Sequence, residues 1–192
     1  RGVVALLGRF PALAGVDLDI DAREIVLVQG PNGAGKSTLL RVCAGLLRVE
    51  SGTAEVLGHD LSVDRAAVRR SVGLLGHDTA LYDDLTVLEN LQFWAAASRV
   101  APESVLPALD RLGVSSRLHD VSVARLSAGQ RRRVALAGVV VRRPTLWLLD
   151  EPFSAGMDPQ GMGVFRKHAR AAAASERTII FTTQLLDVAV KF

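Results

Sequence analysis

Residues 24–38 read Glu24-Ile25-Val26-Leu27-Val28-Gln29-Gly30-Pro31-Asn32-Gly33-Ala34-Gly35-Lys36-Ser37-Thr38. A compact apolar run ends in a dense turn signal, and a helical pattern follows from Ser37 to Leu47. From Gly30 the stretch matches the phosphate-binding pattern G-x-x-x-x-G-K-[ST] completely, in the strand-to-helix context that the pattern requires. The glycines let the backbone curl so that successive N–H groups point inward. The helix that follows adds the positive end of its dipole. Gly30, Pro31, Asn32, Gly33, Ala34, Gly35, Lys36, Ser37 and Thr38 are therefore expected to cradle the phosphates of a nucleotide. Lys36 should reach the β- and γ-phosphates, and Ser37 should ligate Mg²⁺.

Further along, Leu146-Trp147-Leu148-Leu149-Asp150-Glu151 places two carboxylates after four apolar residues. That is the signature of a buried strand ending at a catalytic edge, since ligands of open α/β sheets bind at the carboxyl ends of strands. Asp150 is expected to hold Mg²⁺ through water. Glu151 is expected to polarise the attacking water as general base.

The elements around these motifs alternate. Strand character is expected at Val16–Ile20, 53–57, 72–75, 145–149 and 178–183, and helices opening at Thr86 and over 102–112, 128–141 and 166–174. Thr86 and Glu89 form a capping box at the start of a helix carrying Phe93 and Trp94. Continuous apolar strands alternating with helices imply an α/β fold whose parallel sheet is covered on both faces. The helical middle reads as an insertion into that domain.

The chain has 192 residues, of which 49% are hydrophobic, with a formal net charge of +3. That suffices for one domain with a sizeable core and argues against disorder. The longest apolar run, Val134 to Val141, is far shorter than the ~20 residues a spanning helix needs. The basic run Arg131-Arg132-Arg133 reads as a solvated helix face, so no nucleic acid partner is expected. A single cysteine, Cys43, excludes an internal disulfide and a Cys-based zinc site.

Leu126-Ser127-Ala128-Gly129-Gln130 is the third motif. Ser127 and Gln130 form a second capping box, and the helix N-terminus offers N–H groups and a hydroxyl to an anion. With the two earlier motifs, it resembles the signature sequence of ABC-type ATPases, with Ala128 in place of the usual first glycine. Gly76-His77, Leu85–Leu91, Leu126–Gln130 and Thr145–Phe153 are further similar to the haem-exporter ATPases of cytochrome c biogenesis.

The resemblance implies a P-loop fold with an N-terminal antiparallel β part and an inserted helical subdomain. It implies residues 1–76 and 136–192 for the core and about 77–135 for the insertion, with a domain that usually continues past Phe192. It implies ATP and Mg²⁺, a head-to-tail homodimer or heterodimer with another ABC ATPase, and a separate transmembrane permease. In that dimer Ser127, Gly129 and Gln130 would contact the ATP held by the other subunit. The location implied is cytoplasmic, on the inner face of the cell membrane, with Phe93 and Trp94 in the permease-docking region.

Four positions depart from the family pattern or align loosely with it. His77 stands where a glutamine usually touches Mg²⁺, as in the haem-exporter group. Gln184 stands where a switch histidine usually meets the γ-phosphate and the catalytic glutamate. The segment from Glu151 to Asp158 is one residue longer than usual. Phe10 is the candidate for stacking on adenine, or else a core residue. Gln184 and the Asp158 segment also motivate an alternative, an ATP-gated clamp that turns over slowly. A soluble, non-transport ABC ATPase is a third reading.

Overall fold

The computed structural model describes residues 1–152 and 159–184. The expectation about Asp158 lies outside those residues. The chain forms two compact units, one of residues 1–74, 144–151 and 172–192, the other of 75–143 and 152–171.

The first unit opens with a hairpin, β1 (Val3–Leu7) paired antiparallel with β2 (Phe10–Val16). The strand expected at Val16–Ile20 is not there: β2 ends at Val16. Val16 pairs with Val3, so the ladder has no partner to offer beyond it. Asp17 instead accepts from the Gly2 N–H at 2.7 Å, and Asp19 pairs with Arg1. The alternation that looked like a buried strand is a pair of carboxylates fastening the first two residues.

Strand β3 (Ile25–Gln29) leads through the glycine loop into α1 (Lys36–Cys43). The helix is shorter than the expected Ser37–Leu47 because Gly45, at φ +68°, ends it. The Leu46 N–H bonds to the Arg41 carbonyl at 2.9 Å and the Gly45 N–H to the Val42 carbonyl at 2.8 Å, the pair of bonds that closes a helix over a left-handed residue. A Cβ at Gly45 would sit 2.9 Å from the Arg65 carbonyl oxygen, so glycine is required there twice over.

The strand expected at 53–57 shrinks to β4 (Glu55–Val56), which pairs with β5 (His59–Asp60). Leu57 and Gly58, both at positive φ, make the two-residue turn between them. Helix α2 (Arg65–Ser71) follows, its first turn capped by Asp64, and leads into β6 (Val72–Leu75).

Strands β7 (Leu146–Leu149) and β8 (Thr178–Thr183) complete the main sheet, in the order β3-β8-β7-β6. Both pairings of β8 are parallel. Every residue of β7 and β8 is buried, whereas β3, at the sheet edge, is only half-buried. Leu40 and Val42 of α1, Val68 of α2, Leu148 and Ile180 form one core with Ala5 and Leu13 of the hairpin.

In the second unit, α3 (Val87–Ala97) starts at the Thr86–Glu89 capping box with both reciprocal bonds made. A 3-10 turn at Pro102–Ser104 leads into α4 (Val105–Arg111), and α5 (Ala128–Arg142) packs against both α3 and α4. Phe93 is half exposed and meets Tyr82 and Trp94 edge to face, while the Arg142 guanidinium lies over the Trp94 ring at 5.7 Å. Helix α6 (Pro159–Ala174) begins earlier than the expected Arg166, with a proline at its first position.

His168 on α6 donates its Nε2–H to the Arg111 carbonyl at the end of α4, at 2.6 Å. Burial lowers the pKa of this imidazole; the hydrogen bond opposes that, and the Arg111 and Lys167 charges add to it. The folded protein therefore favours the neutral ring. Its contribution is complete above the unfolded value of about 6.5 and is lost as pH falls through the lower folded value. The melting temperature is expected to drop on acidification below about pH 6.5, with a smaller drop in His168→Gln, whose amide still donates but does not titrate. Calorimetric scans of both proteins between neutral and mildly acidic pH measure this.

Candidate active site

Strand β8 sets the geometry of the first unit. Gln29 of β3 pairs with Thr183, and Leu149 of β7 pairs with Phe181. All three strands run the same way, so the loop after Gln29 and the turn after Leu149 leave one edge of the sheet, on either side of β8.

Within the loop, the Lys36 ammonium reaches back to the carbonyls of Gly30 and Pro31 at 2.7 and 2.8 Å. Its side chain is 8% exposed, so a long, flexible cation is packed against the loop rather than loose in solvent. Gly33 and Gly35 sit at φ +80° and +89°. Gly35 is the first cap of α1, and a Cβ there would lie 2.6 Å from the Ala12 carbonyl oxygen. No acidic residue stands in the first turn of α1, which leaves its positive end uncompensated. Asn32, Gly33, Ala34 and Ser37 are exposed.

Across β8 the two carboxylates are tied down. Asp150, 6% exposed, accepts from the Thr182 hydroxyl at 2.7 Å. The same hydroxyl accepts from the Glu151 backbone N–H at 2.9 Å. Glu151 has a left-handed backbone, φ +45°. Gln184, just past β8, donates its amide to Glu151 Oε1. The structure thus brings Asp150, Glu151 and Gln184 together. Phe10 is 79% exposed at the start of β2, which removes the core alternative for its ring.

The second unit carries the remaining motif residues. His77 follows β6 with an exposed side chain. Ser127 caps α5: its hydroxyl accepts from the Gln130 N–H at 3.3 Å, and Gln130 Oε1 accepts from the Ser127 N–H at 2.8 Å. This helix too starts without an acidic residue.

The sequence profile of the ABC transporter family matches residues 13–154. The chain belongs to the ABC transporter family. It is an ATP-binding, ATP-hydrolysing subunit of an ABC transporter. It is 39% identical over 170 residues to the cytochrome c biogenesis ATP-binding export protein CcmA of Vibrio cholerae, covering 88% of this chain and 81% of that one. It is 36% identical to the daunorubicin/doxorubicin resistance ATP-binding protein DrrA of Streptomyces peucetius, covering 98% of this chain and 58% of that one. Among solved structures it resembles the dimeric ATP-binding cassette MJ0796 bound to ADP and Pi in a post-hydrolysis state, with TM-score 0.86 and 25% identity over 98% of this chain and 88% of that one. The resemblance to cytochrome c biogenesis exporters read from the sequence is borne out, and family members of this similarity carry names that point to different cargoes or roles.

Two features of this ABC subunit escaped the sequence reading. The run Arg131–Arg133 is not a solvated face. Arg131 donates to the Val123 carbonyl at 3.1 Å and pairs with Asp83. Arg132 is 3% exposed and donates to the carbonyls of Gly76 and His77 at 2.6 and 3.3 Å. A buried guanidinium on two carbonyls ties the start of the His77 loop to α5. Thr182 was read only as part of a buried strand. Its one signal is the change from Ile179-Ile180-Phe181 to Thr182-Thr183 at the strand end. The donor chemistry on the nucleotide edge fits a small, hard cation: an exposed hydroxyl on Ser37 and a buried carboxylate on Asp150.

Gly35→Ala should weaken ATP binding by at least about tenfold, since the new Cβ meets backbone and the left-handed φ disfavours it; titration with a fluorescent ATP analogue reads this directly. Arg132→Met should cost about 1–3 kcal/mol of unfolding free energy, because the two main-chain carbonyls lose a charged donor. Urea unfolding of the variant beside the parent measures the cost.

Proposed function

We propose that this chain is the motor subunit of an exporter serving cytochrome c biogenesis, with haem as the exported cargo. Two copies, or one copy and a homologue, work head to tail against a separate membrane permease on the inner face of the cell membrane. The observation that carries this reading is the 39% identity to the Vibrio cholerae export protein over most of both chains. The sequence words Gly76-His77 and Leu126–Gln130 support it. No helix among the described residues is long and apolar enough to cross a membrane, so the pore is assigned to the permease.

The geometry of the site supports the following roles. Lys36 and main-chain N–H groups of the loop between Gly30 and Thr38 hold the β- and γ-phosphates in the positive field of α1. Ser37 and Asp150 would hold Mg²⁺, and the family resemblance assigns His77 a role toward the same ion. Mg²⁺ supplies charge neutralisation at the phosphate oxygens. Glu151 takes the proton of a water whose oxygen attacks the γ-phosphorus, and the bond to the bridging oxygen breaks to release ADP. Gln184 steers the Glu151 carboxylate by donating to Oε1, and as a neutral amide it brings no positive charge. Ser127, Gly129 and Gln130 offer the N-terminus of α5 to the γ-phosphate bound by the partner, while Phe10 stacks on adenine. ATP thus closes the dimer and hydrolysis reopens it.

Glu151→Gln should lower kcat at least about 100-fold while ATP binding persists, and should trap an ATP-dependent dimer in size-exclusion chromatography. An active variant that stays monomeric with ATP overturns the assignment. For the cargo, deletion of the gene in its host should remove haem-stained c-type cytochromes. Their undiminished presence overturns the haem-export reading and leaves the ATPase assignment standing.

A further inference from the structure

We propose that Thr182 is a positioning residue for hydrolysis, acting through the Asp150–Glu151 turn; the proposal rests on Glu151 being the general base. Thr182 follows the Leu149–Phe181 pair in the parallel register, so it lies beside Asp150 where β7 ends and β8 continues. Its side chain is fully buried.

A threonine hydroxyl has one proton to give and lone pairs to accept with. Both capacities are used, and their direction is determined. The Glu151 N–H can only donate, so the hydroxyl accepts from it at 2.9 Å. The hydroxyl proton goes to Asp150 Oδ1 at 2.7 Å. One buried atom therefore orients the backbone of the base and the carboxylate beside it.

The backbone it holds is not a relaxed one. Glu151 sits at φ +45°, which side-chain-bearing residues rarely adopt unless their surroundings impose it. The hydrogen bond from its own N–H to Thr182 is part of that imposition. Two residues on, Gln184 grips Oε1 of the same glutamate. The end of β8 thus clamps Glu151 at both backbone and side chain. The Thr182 clamp reaches Asp150 as well.

Thr182→Val keeps the branched shape and removes the hydroxyl, and Thr182→Ser keeps the hydroxyl. Thr182→Val should lower kcat by roughly 10–100-fold, as losses of a supporting hydrogen bond behind an active group do. Metal-free ATP binding, read with a fluorescent analogue in EDTA, should stay within about twofold because the phosphate loop lies on the far side of β8. Thr182→Ser should restore kcat to within about threefold of the parent. In the Glu151→Gln background, Thr182→Val should cause a smaller further loss than in the parent, since only the part of the clamp on Asp150 is left to lose.

Parent-like kcat in Thr182→Val overturns the proposal, and so does an equal loss of kcat and metal-free ATP affinity. If valine melts the protein, Thr182→Cys, of similar size and with a weak donor, takes its place. Melting of both variants makes Thr182 a structural residue and overturns the proposal. If Glu151→Gln itself hydrolyses normally, the assignment of the base has failed. If Glu151→Gln is dead and Thr182→Val keeps a parent-like kcat, the Thr182 proposal alone has failed.

Discussion

Strand β8 hydrogen-bonds to β3 on one side and β7 on the other, and the nucleotide edge depends on that double pairing. Parallel strands cannot be joined by a tight turn, so each reaches the sheet through a crossover and all three end at one edge. The glycine loop and the two carboxylates are about 120 residues apart in the chain, yet they emerge on either side of the same strand. The pairing also selects which side chains face them. A slip of one residue would turn Thr183 toward the carboxylates and Thr182 away, because neighbouring side chains point to opposite faces.

Burial gives this constraint its force. All of β7 and β8 is inaccessible, so polar groups at their ends must bond to each other. Thr182 of β8, Asp150 and the Glu151 N–H do so where β7 ends beside β8. Arg132 follows the same logic in the other unit, where a guanidinium without water finds two main-chain carbonyls. Both clusters hold residues that the proposed chemistry uses, yet neither Thr182 nor Arg132 belongs to a recognisable motif. The two helix N-termini offered to phosphate, those of α1 and α5, also share a trait: neither carries an acidic residue in its first turn. An anion therefore meets the helix dipole without a competing carboxylate.

Legibility in the sequence followed the range of the interactions. The phosphate loop, both capping boxes and strands β7 and β8 were readable because the signals lie within a few neighbouring residues. The Asp17 and Asp19 pattern was misread as strand because its partners, Gly2 and Arg1, come from across the hairpin. The apolar pattern of α1 runs past its true end at Gly45, since an isolated glycine inside such a pattern does not announce its φ. The left-handed backbone and the Arg65 carbonyl beside it are tertiary facts. The arginine run was read as solvated because nothing local tells which of three consecutive arginines turns inward. At 3.6 residues per turn, consecutive helical residues face directions about 100° apart, and packing against α3 and α4 decides among them.

By itself, the sequence determined the α/β class, the phosphate loop, the acidic end of β7, the capped start of α5 and the family. Each of these is written in short-range chemistry: apolar period, glycine spacing, caps and charge. Only the tertiary structure decided that Gln184 meets Glu151, that Thr182 joins Glu151 to Asp150, that Arg132 is buried, and that Phe10 is exposed. Those are meetings between distant segments, and the register of parallel strands and the rotation of packed helices bring them about. Neither quantity is carried by any one stretch of chain.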